Sequence, residues 1–241
     1  MMLRIKFLEL LFNPAQTKIQ PENYLKASGE VYLLIMISSF FSTFFFDYAN
    51  IINNPTHICF GYYNIFFGFM SFEPAKYFVA FIGSFFVYII IQYNKYDILR
   101  TRLIRNRINS LKSYISIFSN LFYLFSSTCL LLICFFNPQD SSWVILFIFV
   151  QFVIFNNVSA IANFFEYDKP NLIYKIFISL KTFVSTFLVI LILDEYFYAE
   201  INLSSPNNYL IMILDYLWVL LFFIEKFSIF EGEKIEVLYE I

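Results

Sequence analysis

Long apolar runs, rather than strict alternation, dominate the chain. Six of them, at 31–52, 75–93, 114–136, 143–165, 172–193 and 209–230, carry few charges. An α-helix rises 1.5 Å per residue and a hydrocarbon core is about 30 Å thick, so runs of about 20 residues are long enough to cross it. Aromatic residues crowd many of the run ends, as they do where a membrane meets water. Segment 58–72 (ICFGYYNIFFGFMSF) is also apolar, but it is short and rich in Gly and Tyr. It reads as an interfacial or re-entrant part of a loop. No internal repeat or Gly/Ser linker divides the chain. The pattern predicts an all-α fold, a polytopic membrane helix bundle with six transmembrane helices. Residues 1–30 form a leader, 31–230 the transmembrane domain and 231–241 an acidic tail.

The cations set an orientation. The first segment carries Arg4, Lys6, Lys18 and Lys26. Segment 94–113 carries Lys95, Arg100, Arg102, Arg105, Arg107 and Lys112, and Lys169, Lys175 and Lys234 follow at or near the later inner connections. Loops 53–74, 137–142 and 194–208 hold no Lys or Arg. Cytoplasmic loops are the ones enriched in Lys and Arg, so this alternation predicts that both termini are cytosolic. Counting 58–72 as a further span would break it. The first twelve residues, MMLRIKFLELLF, read as a short amphipathic helix lying on the membrane surface. Two other readings are a dedicated surface anchor and a mitochondrial targeting helix, the latter opposed by Glu9.

Composition sharpens the class. Of the 241 residues, 60% are hydrophobic and 14% charged, against about 45–50% and about 25% in an ordinary soluble domain. Too few polar residues remain to cover such a chain in water. The net charge of -2 argues against a nucleic-acid partner. The three cysteines, Cys59, Cys129 and Cys134, cannot all pair, and a single histidine excludes a multi-histidine metal cluster. No metal and no cofactor is expected. The sequence lacks GxSxG, P-loop, HExxH, CxxC and GxGxxG patterns, and leaves open whether the protein is an enzyme. His57, beside Thr56 and Cys59 in the first outer loop, is either a triad candidate or an ordinary solvated histidine.

Ionisable residues within spans are costly, at roughly 2.5–3.5 kcal/mol on the insertion scale, and therefore draw functional interest. Lys181 lies deep in span five and Asp215 in span six. Asn120 is in span three, and Gln151, Asn156 and Asn157 are in span four. Asn157 and Lys181 fall at similar depth, which predicts a polar layer inside the bundle. Lys181, Asp215, Asn120 and Asn157 are the candidate lining of a lipid-binding cavity, with interhelical hydrogen bonding as the purely structural alternative. A direct or water-bridged Lys181–Asp215 pair is expected if spans five and six are neighbours. Glu225, near the inner end, is expected to snorkel toward water beside Lys226. Asn202-Leu203-Ser204 forms a glycosylation sequon in an outer loop.

Several short motifs now carry a resemblance: Thr56-His57-Ile58-Cys59 in the first outer loop, Asn120-Leu121 in span three and Leu214-Asp215-Tyr216 in span six. With the six-span layout, the chain resembles the DRAM/Sfk family, and within it the post-GPI-attachment-to-proteins factor 2 branch, over roughly residues 25–238. The resemblance implies an integral membrane factor in lipid remodelling of GPI anchors, located in the ER and Golgi, with membrane lipid or GPI-lipid as its partner and protein partners in the same membrane. A different class fits the composition as well: a non-catalytic accessory subunit of a mitochondrial inner-membrane complex.

Overall fold

The computed structural model describes residues 18–19, 21–46, 48–49, 73–103, 111–133, 135–136, 138–166, 171–194, 206–227 and 237–238. Six long helices account for most of them: α1 (Pro21–Phe46), α2 (Glu73–Leu103), α3 (Leu111–Ile133), α4 (Pro138–Glu166), α5 (Leu172–Leu193) and α6 (Pro206–Phe227). Each predicted span coincides with one helix over most of its length. Four stretches are long and apolar enough to cross a membrane: Pro74–Leu99, Leu111–Ile133, Val144–Phe165 and Leu172–Leu193. The other two helices carry three ionisable residues each, Glu22, Lys26 and Glu30 in α1 and Asp215, Glu225 and Lys226 in α6.

Two boundaries differ from the sequence expectation. Helix α1 starts at Pro21, ten residues before the predicted span, because proline suits a first helical turn and Ala27 and Ser28 are already fully buried. Helix α2 continues to Leu103 through what reads as a basic loop. Its buried stripe explains why: Val79, Gly83, Phe86, Ile90, Tyr93 and Asp97 follow one another at alternating steps of four and three, the spacing of one helix face. The first twelve residues, segment 58–72, His57 and the Asn202 sequon lie outside the described residues.

Sequence neighbours are spatial neighbours. Helices α1–α2, α2–α3, α3–α4, α4–α5 and α5–α6 touch in turn, and α1 also meets α6, so the six close into a ring. The seam between α3 and α4 is the most extensive. On α3 the buried stripe is built largely of small residues, Ser113, Ser116, Ser119, Ser126 and Ser127, which lets two backbones approach closely. At the α1–α6 closure, a Cβ built on Gly29 would stand 3.0 Å from Lys226 Cβ and 3.1 Å from the Phe227 ring. Glycine there permits the close approach.

The direction of every helix follows from its contacts. The start of α1 stacks Tyr24 on Tyr96 near the end of α2. The end of α2 meets the start of α3, which meets the end of α4, then the start of α5 and the end of α6, through the side chains described below. Two residues on either side of the bundle form an antiparallel pair, β1 (Lys18–Ile19) with β2 (Val237–Leu238). The two ends of the described chain therefore lie at one end of the bundle, called here the strand end.

The bundle interior is apolar and aromatic. Trp218, fully buried, sits edge-on to Phe152 at 4.9 Å and Phe149 at 6.2 Å, and stacks with Phe222 at 5.7 Å. Tyr32 joins α1 to this cluster through Phe222 and reaches α2 through Phe86. All six helices also expose large apolar side chains, including Phe45, Phe81, Phe118, Phe147, Phe183 and Ile213. Both faces being apolar is the mark of helices solvated by lipid.

Because fully buried Trp218 joins α6 to α4 and α5, Trp218→Ala should lower unfolding stability in detergent by about 3–5 kcal/mol, the cost typical of large-to-small core changes. Phe147→Ala, on an exposed face, should change it little. Denaturation monitored by helical circular dichroism checks the pair.

Candidate functional site

Polar side chains inside the bundle are concentrated toward the strand end. They fall into three linked groups, each joining neighbouring helices, and each is held in place by the buried stripe on which it sits.

The first group joins α5 to α6. Lys181 is fully buried, and its Nζ lies 2.5 Å from Oε2 of Glu225, whose side chain is 20% exposed. One turn along α5, Ser185 Oγ donates to the Lys181 carbonyl and accepts from Trp218 Nε1 at 3.1 Å. Thr182, beside the lysine, reaches Asn157 Oδ1 on α4 at 3.4 Å. Sequence arithmetic correctly put Asn157 and Lys181 at one level.

The expected Lys181–Asp215 pair is replaced by Lys181–Glu225. The reason is register: Asp215 is ten residues before Glu225 on α6, about 15 Å away along the axis at 1.5 Å per residue. Glu225 does not snorkel outward, because the rotation of α6 turns it toward α5. Asp215 is fully buried, at a level closer to the opposite end than Trp218. It lies in the interior, as expected, but apart from the strand-end cluster.

The second group joins α2 to α3. Asn120 is 3% exposed, and both hydrogens of its amide are used: Nδ2 donates to Asp97 Oδ2 and to the Ser116 carbonyl, each at 2.9 Å. Asn94 Nδ2 donates to the Asn120 carbonyl at 3.0 Å. Asp97 is 2% exposed. It escaped sequence analysis because span two was ended at residue 93. The four-three stripe of α2, continued one more step, identifies it.

The third group joins α3 to α4 and α6. Ser119 Oγ reaches the Ser159 carbonyl at 3.0 Å and Asn163 Oδ1 at 2.6 Å, so one proton serves two acceptors. Farther along the same seam Ser126 donates to the Phe152 carbonyl at 3.2 Å. Hydrogen bonds of this kind within membranes average about 0.6 kcal/mol, enough to fix register but not to drive association alone. Lys226 is 1% exposed and places Nζ 3.8 Å from the Tyr123 ring centre and 5.0 Å from that of Phe222. Contact between an ammonium and an aromatic face is worth about 2 kcal/mol or more when desolvated. Lys226 was expected near water; its burial follows from the close approach of α1 at Gly29.

Beside this cluster, an open groove of about 530 Å³ runs between α3 and α4 on the outer surface. Ile115, Phe118, Val158, Ile161 and Ala162 line it, and Lys112 sits at its strand-end rim. Its volume falls in the range of small-molecule sites, about 300–1,000 Å³, and its walls suit a hydrocarbon chain. Among the described residues, no group of three His, Cys, Asp or Glu is placed to hold a metal ion.

Of the candidate residues, Asn157 and Lys181 share one hydrogen-bonded layer across α4 and α5. Asn120 belongs to the same end of the bundle through Asp97, whereas Asp215 does not join them. Comparison with known proteins brings no match: no family model, no curated protein and no solved structure is detectably similar to this chain.

Lys181 and Glu225 should behave as a coupled pair. Removing one partner of a buried ion pair costs roughly 3–5 kcal/mol, because the other charge is left uncompensated, and the partial exposure of Glu225 points to the lower end. Lys181→Met and Glu225→Gln should each reduce folded yield, while the double variant recovers part of it. Combining Lys181→Met with Asp215→Asn should give no such recovery. Yield of monodisperse protein by size-exclusion chromatography measures all four.

Proposed function

We propose that this chain is a six-span integral membrane protein with both ends in the cytosol, and that it serves lipid remodelling of GPI anchors in the ER and Golgi. The carrying observation is the polar layer toward the strand end, where Lys181, Asp97 and Lys226 are buried and Glu225, partly exposed, pairs with Lys181. Ionisable groups at membrane depth are expensive and most often mark a pathway or binding site.

Several features support the reading. Up-and-down packing of all six helices brings β1 and β2 together at one end, as an even number of spans requires. Of the 16 Lys and Arg residues, Lys76 alone belongs to the sequence at the opposite end, so the positive-inside rule assigns the strand end to the cytosol. The α3–α4 groove offers an apolar channel for one lipid chain, open along the membrane. The GPI assignment itself rests on the Asn120-Leu121 and Leu214-Asp215-Tyr216 motifs and the six-span layout. Exposed apolar side chains on every helix favour a protein surrounded by lipid over a subunit clasped by other chains.

Cysteines introduced one at a time into segment 94–113 should react with an impermeant thiol reagent only from the cytosolic side, and those in 53–74 only from the luminal side. The reverse pattern overturns the orientation. For the activity, cells lacking the protein should accumulate GPI anchors with unremodelled lipid, and Lys181→Met should reproduce that profile. A normal profile, or a fluorescent fusion that marks mitochondria, defeats the GPI reading and leaves the accessory-subunit alternative.

A further inference from the structure

Three buried polar groups on three different helices retain unused hydrogen-bonding capacity in one region of the bundle. Asn94 on α2 is 8% exposed, and its Oδ1 makes no hydrogen bond. Tyr123 on α3 is 6% exposed, and its hydroxyl makes none either. Lys226 on α6 is 1% exposed, and its ammonium faces the Tyr123 and Phe222 rings. Among the described residues no carboxylate pairs with it.

The three residues are linked directly or through immediate neighbours. The Lys226 ammonium lies against the Tyr123 ring at 3.8 Å. Tyr93, next to Asn94 in sequence, meets the same ring edge-on at 5.6 Å. The Asn94 amide is bonded to the carbonyl of Asn120, one turn before Tyr123. Aromatic faces answer part of the charge on Lys226, but they accept none of its three N–H bonds in the ordinary sense. Buried polar groups in native proteins are almost always paired with protein or ordered water.

The donor and acceptor types decide what serves them. Lys226 offers only donors, Asn94 Oδ1 only an acceptor, and the Tyr123 hydroxyl either. An anion would suit the lysine and repel the amide oxygen. A metal ion would suit the amide oxygen and repel the lysine. Water does both, and a buried water typically makes about three hydrogen bonds. We propose that ordered water is bound between Asn94, Tyr123 and Lys226, forming a hydrated cation site inside the bundle. The site continues through Asn120 to Asp97, three residues nearer the end of α2, and so leads toward the strand end. The water keeps the ammonium solvated where hydrocarbon would not. This inference stands apart from the lipid reading, since it uses no lipid and no GPI chemistry.

Radiolytic hydroxyl labelling of the full chain in lipid nanodiscs tests it, because radicals generated from bound water mark the side chains beside that water. Tyr32 is the control: it is 3% exposed and packed against Phe86, Phe222 and Phe223. Tyr123 should be labelled several-fold faster than Tyr32. Equal, slow labelling means a dry site and overturns the proposal. In the double variant Asn94→Leu, Lys226→Met, Tyr123 labelling should fall to the level of Tyr32. Persistent fast labelling there means that the bundle opens to bulk solvent, which also overturns it. If the double variant does not fold, the wild-type comparison of the two tyrosines decides the question.

Discussion

A polar group surrounded by hydrocarbon has no water to fall back on, and each one left unanswered costs several kcal/mol. That constraint organises this bundle. Lys181 is met by Glu225, Asn120 by Asp97, Ser119 by Ser159 and Asn163, and Trp218 Nε1 by Ser185. Every one of these bonds crosses from one helix to another. Each fixes the rotation and the height of the two helices it joins, which apolar packing in lipid does only loosely.

The division of the interior into two zones follows from the same rule. Around Trp218, Phe149, Phe152 and Phe222, close-packed rings supply dispersion and shape, and their directional edge-to-face contacts, with that of Tyr32 on Phe222, hold α1, α4 and α6 at set distances. Nearer the strand end the serine stripe of α3 replaces bulk with small hydroxyls, so that α4 comes close enough for side chains to reach backbone carbonyls. Large side chains at Ser116 or Ser119 would separate the helices and leave the neighbouring asparagines without partners. The aromatic zone sets the girth of the bundle and the serine zone makes its polar layer attainable.

Much of this was legible in the sequence. Apolar runs located all six helices because a long apolar run is defined by composition and length, both of which are local. The shared level of Asn157 and Lys181 was legible too, since height along a helix is simple arithmetic. Rotation is not. Whether Glu225 faces lipid, water or α5 depends on how α6 packs, so depth alone sent Glu225 toward water and matched Lys181 with Asp215. Asp97 was lost for a different reason: hydropathy drops after Tyr93 while the buried stripe continues. Reading the four-three spacing instead of the mean hydropathy carries α2 to Asp97. The two-residue strands are too short to leave any periodic trace.

The span of 44 residues between Lys181 and Glu225 has a consequence for biogenesis. At about 5–20 residues per second, the helix bearing the lysine is made several seconds before its carboxylate exists. During that interval α5 must either linger at the insertion machinery or carry a solitary cation into the bilayer. The closure of α1 on α6 waits longer still, because four helices are synthesised between its two partners. Closure of this bundle therefore waits on α6, and a stall or truncation before that helix would strand a charged, open intermediate for quality control to recognise.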